Sequence, residues 1–156
     1  MKPEELMRLA IDKTREGFKT GNSPFGCAIE QGGKVIATAH NTVLTTIDST
    51  AHAEVNAIRV GCKHIGKWFL EGSIVATTCE PCPMCMSALH WARVDTVYFG
   101  ATVQDAADAG FNELYIDAQQ ILSMGRSKVK LIGGVLADEC KQLFHDWKKL
   151  PTARTY

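Results

Sequence analysis

The stretch Thr50-Ala51-His52-Ala53-Glu54-Val55 is followed downstream by Pro81-Cys82-Pro83-Met84-Cys85. The two cysteines are three positions apart, which puts both sulfur atoms on one side of the first turn of a helix. The positive end of that helix favours the thiolate, the form that binds metal. With His52 as the third ligand, a fourth tetrahedral position stays open, as catalytic zinc requires. The pattern therefore predicts one catalytic Zn²⁺ per chain, held by His52, Cys82 and Cys85.

Glu54 follows His52 by two positions, so the two side chains would not share a face in the middle of a helix. Near a helix start, beside a metal, both can approach the same water molecule. We therefore interpret His52 as a ligand and Glu54 as the residue that moves protons. A redox Cys-x-x-C pair and a structural zinc module are the alternatives. The structural module would need a fourth ligand, and the other cysteines lack ligand spacing.

The composition predicts a single domain over residues 1–156. Lysine plus arginine and aspartate plus glutamate number 17 each, so the formal net charge is zero. No apolar run approaches the length of a membrane span, and the N-terminus has an acidic amphipathic pattern rather than that of a signal peptide. We therefore expect a cytoplasmic protein whose cysteines are reduced.

Strands and helices alternate along the chain. The predicted strands are residues 25–30, 34–40, 73–78, 94–99 and 128–132, with Gly32-Gly33 as a hairpin turn between the first two. The predicted helices are residues 3–21, a helix capped by Ser49 or Thr50 and running to about 66, a helix from the cysteine turn to about 91, and residues 113–122 and 136–149. Residues 42–48 are predicted as polar loop, and 100–112 as a loop that could hold a short helix. This order predicts an α/β layer sandwich with the site at strand ends, at one edge of the sheet.

The sequence resembles the cytidine deaminase superfamily, whose zinc-dependent base deaminases carry H-x-E followed by P-C-x-x-C. Within it, the sequence is most similar to the bacterial guanine deaminases. The resemblance spans nearly the whole chain and is most specific in residues 24–26, Asn41, residues 50–55, 79–85, 91–93 and 105–111, and Tyr156. It implies a three-layer αβα sandwich with a five-stranded mixed sheet. It also implies a homodimer in which residues 150–156 can swap into the partner's site.

The resemblance also implies roles for further residues. Those that would hold the purine are Phe25, Asn41, Ala53 and Trp91, and Tyr156 would close the pocket. Glu113 corresponds to an acidic residue that assists proton transfer. From the residues alone, Phe25 and Trp91 could equally be core aromatics, Asn41 a turn cap, Glu113 a surface acid and Tyr156 a disordered end.

The activity implied is hydrolysis of guanine to xanthine and ammonia. Residues 133–140, however, resemble the corresponding part of bacterial tRNA adenosine deaminases, which would use the same zinc and glutamate on a flipped-out base. A related nucleoside, a triazine or a cytosine-like ring is a further alternative. The balanced charge favours a small purine over nucleic acid as the partner, because RNA binders usually carry a basic excess.

Overall fold

A computed structural model describes residues 1–156 and contains one five-stranded mixed sheet. The strands are β1 (Gly26–Gln31), β2 (Lys34–His40), β3 (Ser73–Cys79), β4 (Thr96–Ala101) and β5 (Lys130–Ile132). Their order across the sheet is β2-β1-β3-β4-β5. β1 runs antiparallel to β2 and β3, whereas β3, β4 and β5 run parallel to one another. All five strands agree with the prediction to within two residues at each end.

Seven helices surround this sheet. They are α1 (Pro3–Phe18), α2 (Val43–Thr46), α3 (Ala53–Ile65), α4 (Pro83–Trp91), α5 (Val103–Asp108), α6 (Ala118–Met124) and α7 (Ala137–Lys148). None of them is both long and apolar enough to cross a membrane. The hairpin between β1 and β2 turns at Gly32 and Gly33, whose φ angles of 60° and 82° suit glycine in a two-residue turn.

Two separate cores lie on the two faces of the sheet. On one face α1, α5 and α7 pack against the strands, with Leu143 and Trp147 buried there. On the other face α3, α4 and α6 pack against the same strands, with Met86 and Leu89 buried there. Alternate residues of β1 supply both cores, since Ala28 points to the first and Ile29 to the second. The predicted three-layer αβα sandwich is confirmed.

Three local predictions were wrong. α3 begins at Ala53, so neither Ser49 nor Thr50 caps it, and the backbone N–H and the hydroxyl of Thr50 both donate to Asp48 Oδ1 instead. Residues 43–46 form a short helix within the predicted loop. Residues 113–117 are irregular, and α6 starts at Ala118 because Asp117 and Gln120 form a capping box there.

Candidate active site

The predicted metal ligands lie at the first turns of α3 and α4, beyond the carboxyl end of β3. His52 and Cys82 are the N-cap residues of these helices, and both have an extended backbone. An N-cap side chain usually accepts a hydrogen bond from its own helix, but neither of these does so. Neither side chain is therefore bound to its own helix, and the two can contact each other. Cys85 lies three residues after Cys82, where the side chain turns back toward the N-cap position.

The three donor atoms have the separation that a tetrahedral zinc site requires. His52 Nδ1 lies 3.7 Å from Cys82 Sγ and 3.5 Å from Cys85 Sγ, and all three donors lie within 4.8 Å of one another. Usual zinc–nitrogen and zinc–sulfur bond lengths place two such ligands about 3.6 Å apart at a tetrahedral angle. The donor set thus fits Zn²⁺ in both geometry and chemistry, and it leaves one position open.

The local environment already favours one thiolate. A hydrogen bond from the Cys85 thiol, aided by one from His52, lowers the pKa of Cys82 to about 4. The same Cys85–Cys82 hydrogen bond, together with burial, raises the pKa of Cys85 well above its usual value. Burial lowers the pKa of His52, but the hydrogen bond to Cys82 and the Glu54 carboxylate outweigh burial and leave it raised. A ligand group that is anionic at neutral pH is therefore present at the cluster.

Glu54 is held beside this cluster in the first turn of α3. Glu54 is only 6% exposed, and its Oε1 accepts a hydrogen bond from the Thr77 hydroxyl at 3.0 Å. Burial, followed by the charge of Cys82, raises the pKa of Glu54. A raised pKa brings the carboxyl closer to the pH at which it can both accept and release a proton, as a proton shuttle must. Thr77 was not identified from the sequence.

Aromatic rings form one wall of the site. Phe25 and Phe111 meet edge to face with centroids 4.8 Å apart, and Phe111 contacts the Tyr156 ring in the same way at 5.5 Å. Phe25 was predicted as a pocket residue, and the structure places it in the lining of the inner chamber beside His52 and Glu54. Phe111 lies in the segment 105–111 that resembles the family, but no role was predicted for it.

The C-terminal tail folds back over the site of its own chain. Asn41 Nδ2 donates to the Tyr156 hydroxyl at 2.6 Å, and the Asn112 N–H donates to the Tyr156 carbonyl at 3.2 Å. Asn41 is only 1% exposed, and its Oδ1 accepts from the Val43 N–H at 3.1 Å. Asn41 thus supports a turn, as one interpretation of this residue held, and it also contacts the tail.

Tyr156 separates two spaces around the metal ligands. An inner chamber of about 30 Å³ contacts Phe25, His52, Glu54 and Tyr156, and has room for only about one or two water molecules. An outer cleft of about 290 Å³ is also lined by His52, Cys82 and Tyr156, together with Met84 and Leu114. A purine does not fit the inner chamber as it stands, so the tail has to move before a base can enter that chamber beside Glu54.

Two further acids lie at the chamber. Glu113 lines both spaces, and burial is the largest cause of its raised pKa. Glu80 lines the inner chamber as well, where its two carboxylate oxygens accept the N–H groups of Val103 at 3.2 Å and Ala118 at 2.9 Å. Glu80 therefore fixes the starts of α5 and α6 against the site. It was missed from the sequence, where its position directly before the cysteine turn was the only available signal.

Not all of the predicted pocket residues come together in this chain. Trp91 lies at the far end of α4, is 75% exposed, and borders a shallow depression with Ile121 and Leu122 instead of the metal site. The prediction that Trp91 lines the pocket of its own chain is wrong, because α4 carries it away from Cys85 by almost two helical turns. Ala53 is fully buried between His52 and Glu54, and its side chain belongs to the core.

Comparisons with known proteins agree with this site. Residues 1–101 match the family described as the cytidine and deoxycytidylate deaminase zinc-binding region. A guanine deaminase from Bacillus subtilis is 44% identical over 117 residues, which are 74% of this chain and 75% of the relative. The X-ray structure of guanine deaminase from Bacillus subtilis superposes with a TM-score of 0.70 at 45% identity, covering 72% of this chain and 73% of the other.

Two other relatives bear on substrate and fold. A tRNA-specific adenosine deaminase from Bacillus subtilis is 35% identical over 141 residues, which are 90% of this chain and 85% of the relative. The structure of a guanine deaminase from Nitrosomonas europaea has a TM-score of 0.85 at 24% identity and covers 93% of this chain and 84% of the other. At that identity the likeness concerns the fold alone.

Proposed function

The chain belongs to the cytidine and deoxycytidylate deaminase family and is a zinc-dependent aminohydrolase, and from this premise we propose that it converts free guanine to xanthine and ammonia. The observation that carries the choice of a free base is the tail, which covers the metal ligands through the Asn41–Tyr156 hydrogen bond. A lid of this kind sequesters a small substrate from water, whereas a base still attached to RNA needs an open mouth for its flanking nucleotides.

His52, Cys82 and Cys85 would hold the zinc ion, which when bound would supply a water molecule of lowered pKa at neutral pH. Glu54 takes up the proton released from water at a carboxylate oxygen and delivers it to a ring nitrogen of the base. Thr77 orients this carboxylate by donating to Oε1. The water oxygen bonds to the amino-bearing ring carbon, and Glu54 then takes the second proton from that oxygen. Ammonia leaves as the carbon–nitrogen bond breaks and Glu54, or Glu113 after proton transfer from it, gives this proton to the amino group.

The proposed base-binding residues act by contact and by hydrogen bonding. Phe25 offers a ring edge or face from the chamber wall, and Asn41 offers an amide that now donates to Tyr156. When the tail opens, that amide becomes free to donate to an acceptor atom of the purine. Tyr156 then closes again over the bound base, with its hydroxyl available for a new hydrogen bond. Ala53 contributes its backbone at the start of α3.

We also infer a homodimer in which residues 150–156 either return to their own site, as here, or swap into the partner's. Leu114 at the rim of the outer cleft and its neighbour Tyr115 are both exposed large apolar side chains. Exposed apolar residues beside a ligand site are typical of a protein–protein surface. The molar mass in solution, measured by light scattering, would test the dimer directly.

Wobble-adenosine deamination in tRNA is the second candidate function. The observation that favours it is the longer match to a tRNA-specific adenosine deaminase, over 141 residues against 117 for the guanine deaminase. The same zinc ligands and Glu54 would serve that reaction, so the metal site does not distinguish the two. The position of the tail supports the free-base proposal, because an anticodon loop would have to enter where Tyr156 lies.

The experiment is an ammonia-release panel with the zinc-loaded full-length chain. The substrates are guanine, guanosine, cytosine, an aminotriazine and an anticodon stem-loop with adenosine at the wobble position. We expect kcat/KM for guanine to exceed that for each other substrate by at least about 100-fold, a difference of about 2.7 kcal/mol in transition-state binding. A higher kcat/KM on the stem-loop would replace the guanine proposal with the tRNA one.

A further inference from the structure

A groove of about 570 Å³ lies at the opposite end of the parallel strands from the metal site. Its walls are the end of α4, the starts of β4 and β5, and the loop between α6 and β5. The metal ligands, by contrast, lie beyond the carboxyl end of β3. A hydrogen bond of 2.8 Å between His90 Nδ1 and Ser127 Oγ joins the end of α4 to the loop between α6 and β5. The volume is within the range usual for small-molecule sites.

Positive charge is concentrated in this groove although the chain as a whole is neutral. Four cationic side chains line it, those of Arg93, Arg126, Lys128 and Lys130, against a single acid, Asp95. Arg93 is paired with Glu71 at 2.9 Å, and Asp95 Oδ1 accepts the Gly72 N–H. The other three cations make no ion pair and no side-chain hydrogen bond. Three cationic side chains without an ion-pair partner thus line one concave surface.

Helix ends do not account for these charges. The carboxyl ends of α4 and α6 both lie at the groove, and each carries about half a negative charge. Together with Asp95, and with Glu71 paired to Arg93, these ends offset about three of the four cationic charges, so the groove keeps about one net positive charge. Cations that served only to stabilise helix ends would not need to exceed the negative charge there.

Two of the arginines adopt an unfavourable backbone conformation. Arg93 and Arg126 have φ angles of 59° and 52°, and only two other non-glycine residues in the chain share this left-handed region. Helices commonly end with a residue in this conformation, but glycine is the usual choice because it has no Cβ. Gly125 precedes Arg126 directly and has an ordinary helical conformation. Arginine is therefore present at both helix ends despite its backbone cost.

An aromatic subsite adjoins the cationic groove. Trp91, with Ile121, Leu122 and Gly125, lines a second cavity of about 140 Å³ that shares His90 and Ser127 with the groove. The Trp91 indole is 75% exposed and meets the His90 ring edge to face at 6.1 Å. An exposed indole beside unpaired cations offers a stacking surface for a base next to a site for phosphate.

We propose that this groove is a second site, separate from the metal centre, that binds a nucleoside diphosphate. The diphosphate lies against Arg126, Lys128 and Lys130, which make no ion pair within the chain, and the base lies against Trp91. The site is distinct from the deaminase activity and does not depend on which substrate the metal centre uses. A nucleotide bound there would bridge α4, which carries the zinc ligands, and the loop before β5.

The test is calorimetric titration of the zinc-loaded full-length chain with adenosine, AMP, ADP and inorganic phosphate. We expect ADP to bind at least tenfold more tightly than adenosine, with AMP between them, and added salt to weaken ADP binding. Lys128→Gln with Lys130→Gln should weaken ADP at least tenfold, as expected for lost charge-assisted hydrogen bonds. The matched control is Lys19→Gln with Lys34→Gln, which removes the same charge from two exposed lysines outside the groove and should leave ADP affinity unchanged.

A second variant separates the base subsite from the phosphate subsite. Trp91→Ala should weaken ADP but leave the affinity for inorganic phosphate unchanged, because the indole contacts only the base. The proposal is overturned if adenosine binds as tightly as ADP or if Trp91→Ala has no effect on ADP affinity. It is also overturned if the Lys128/Lys130 variant and the Lys19/Lys34 control lose the same ADP affinity. A further outcome is that an RNA stem-loop binds more tightly than ADP at the same salt and loses this binding in the Lys128/Lys130 variant. That result would identify the groove as an RNA surface and would equally overturn the proposal.

Discussion

Replacing Glu54 by glutamine isolates its proton-transfer role from its place in the structure. Glutamine has the same shape, and its amide oxygen can still accept from the Thr77 hydroxyl, which lies 3.0 Å from Glu54 Oε1. The three metal donors are untouched, so zinc content and folding should not change. What the amide cannot do is take up and release a proton at the active centre.

The expected loss follows from that single change. General acid–base catalysis by one positioned group contributes about 10²–10⁴-fold, so kcat should fall by that factor, or by about 2.7–5.4 kcal/mol in activation free energy. The matched variant Thr77→Val keeps the carboxylate but removes the hydrogen bond that orients it. Losing one hydrogen bond to a charged group should cost about tenfold in kcat, or about 1.4 kcal/mol.

The assay is steady-state ammonia release from guanine, with elemental analysis of zinc in each purified protein. The order of kcat should be wild type, then Thr77→Val, then Glu54→Gln, all with one zinc per chain. A Glu54→Gln protein that keeps full zinc and turns over within tenfold of wild type would refute the proton-shuttle role. A Glu54→Gln protein that loses zinc would show that Glu54 serves the metal instead.

Four further changes test other parts of the molecule. Cys82→Ser should lose zinc and lower the melting temperature, because a metal held only by the folded chain contributes to its stability. Full zinc content by elemental analysis would show that the ligand assignment is wrong. Glu113→Gln should keep zinc but lower guanine kcat by about tenfold or more as a lost proton donor, whereas a wild-type rate would identify it as a surface acid. Deleting residues 152–156 should leave zinc content and melting temperature nearly unchanged. It should reduce guanine kcat/KM at least about tenfold, because water then enters the site. Unchanged turnover would contradict the lid, and a gain of activity on an anticodon stem-loop would favour the tRNA function. Gly26→Ala should destabilise the fold by about 3 kcal/mol, because the added Cβ would overlap the Ala10 carbonyl oxygen and the Thr14 hydroxyl. Calorimetry should show a melting temperature lower by roughly 6–12 °C. A melting temperature within about 2 °C of wild type would show that α1 moves aside more easily than we expect.

The residues that hold the metal were predictable because their geometry is local. Cys82 and Cys85 lie in one helical turn, and the proline between them at the first helical position marks where that helix begins. His52 came from a short motif in the same way. Strand positions were equally readable, since the hairpin glycines and the apolar alternation of β1 and β2 depend on neighbours in sequence. The start of α3 was predicted wrongly, because His52, and not a capping hydroxyl, occupies the N-cap.

The tertiary structure decided everything that depends on long-range packing. Glu54 and Thr77 are 23 residues apart and meet only because α3 starts beside the end of β3. Asn41 and Tyr156 are 115 residues apart, and their contact depends on α7 returning the tail to the site. Trp91 shares a helix with Cys85, yet the length of α4 carries it to the other end of the sheet. Spacing along the chain determines which side chains share a helical turn, but only the packing of helices on the sheet determines which distant residues meet. The sequence by itself therefore determined the zinc chemistry, whereas the lid, the orientation of the proton carrier and the cationic groove were decided by the fold.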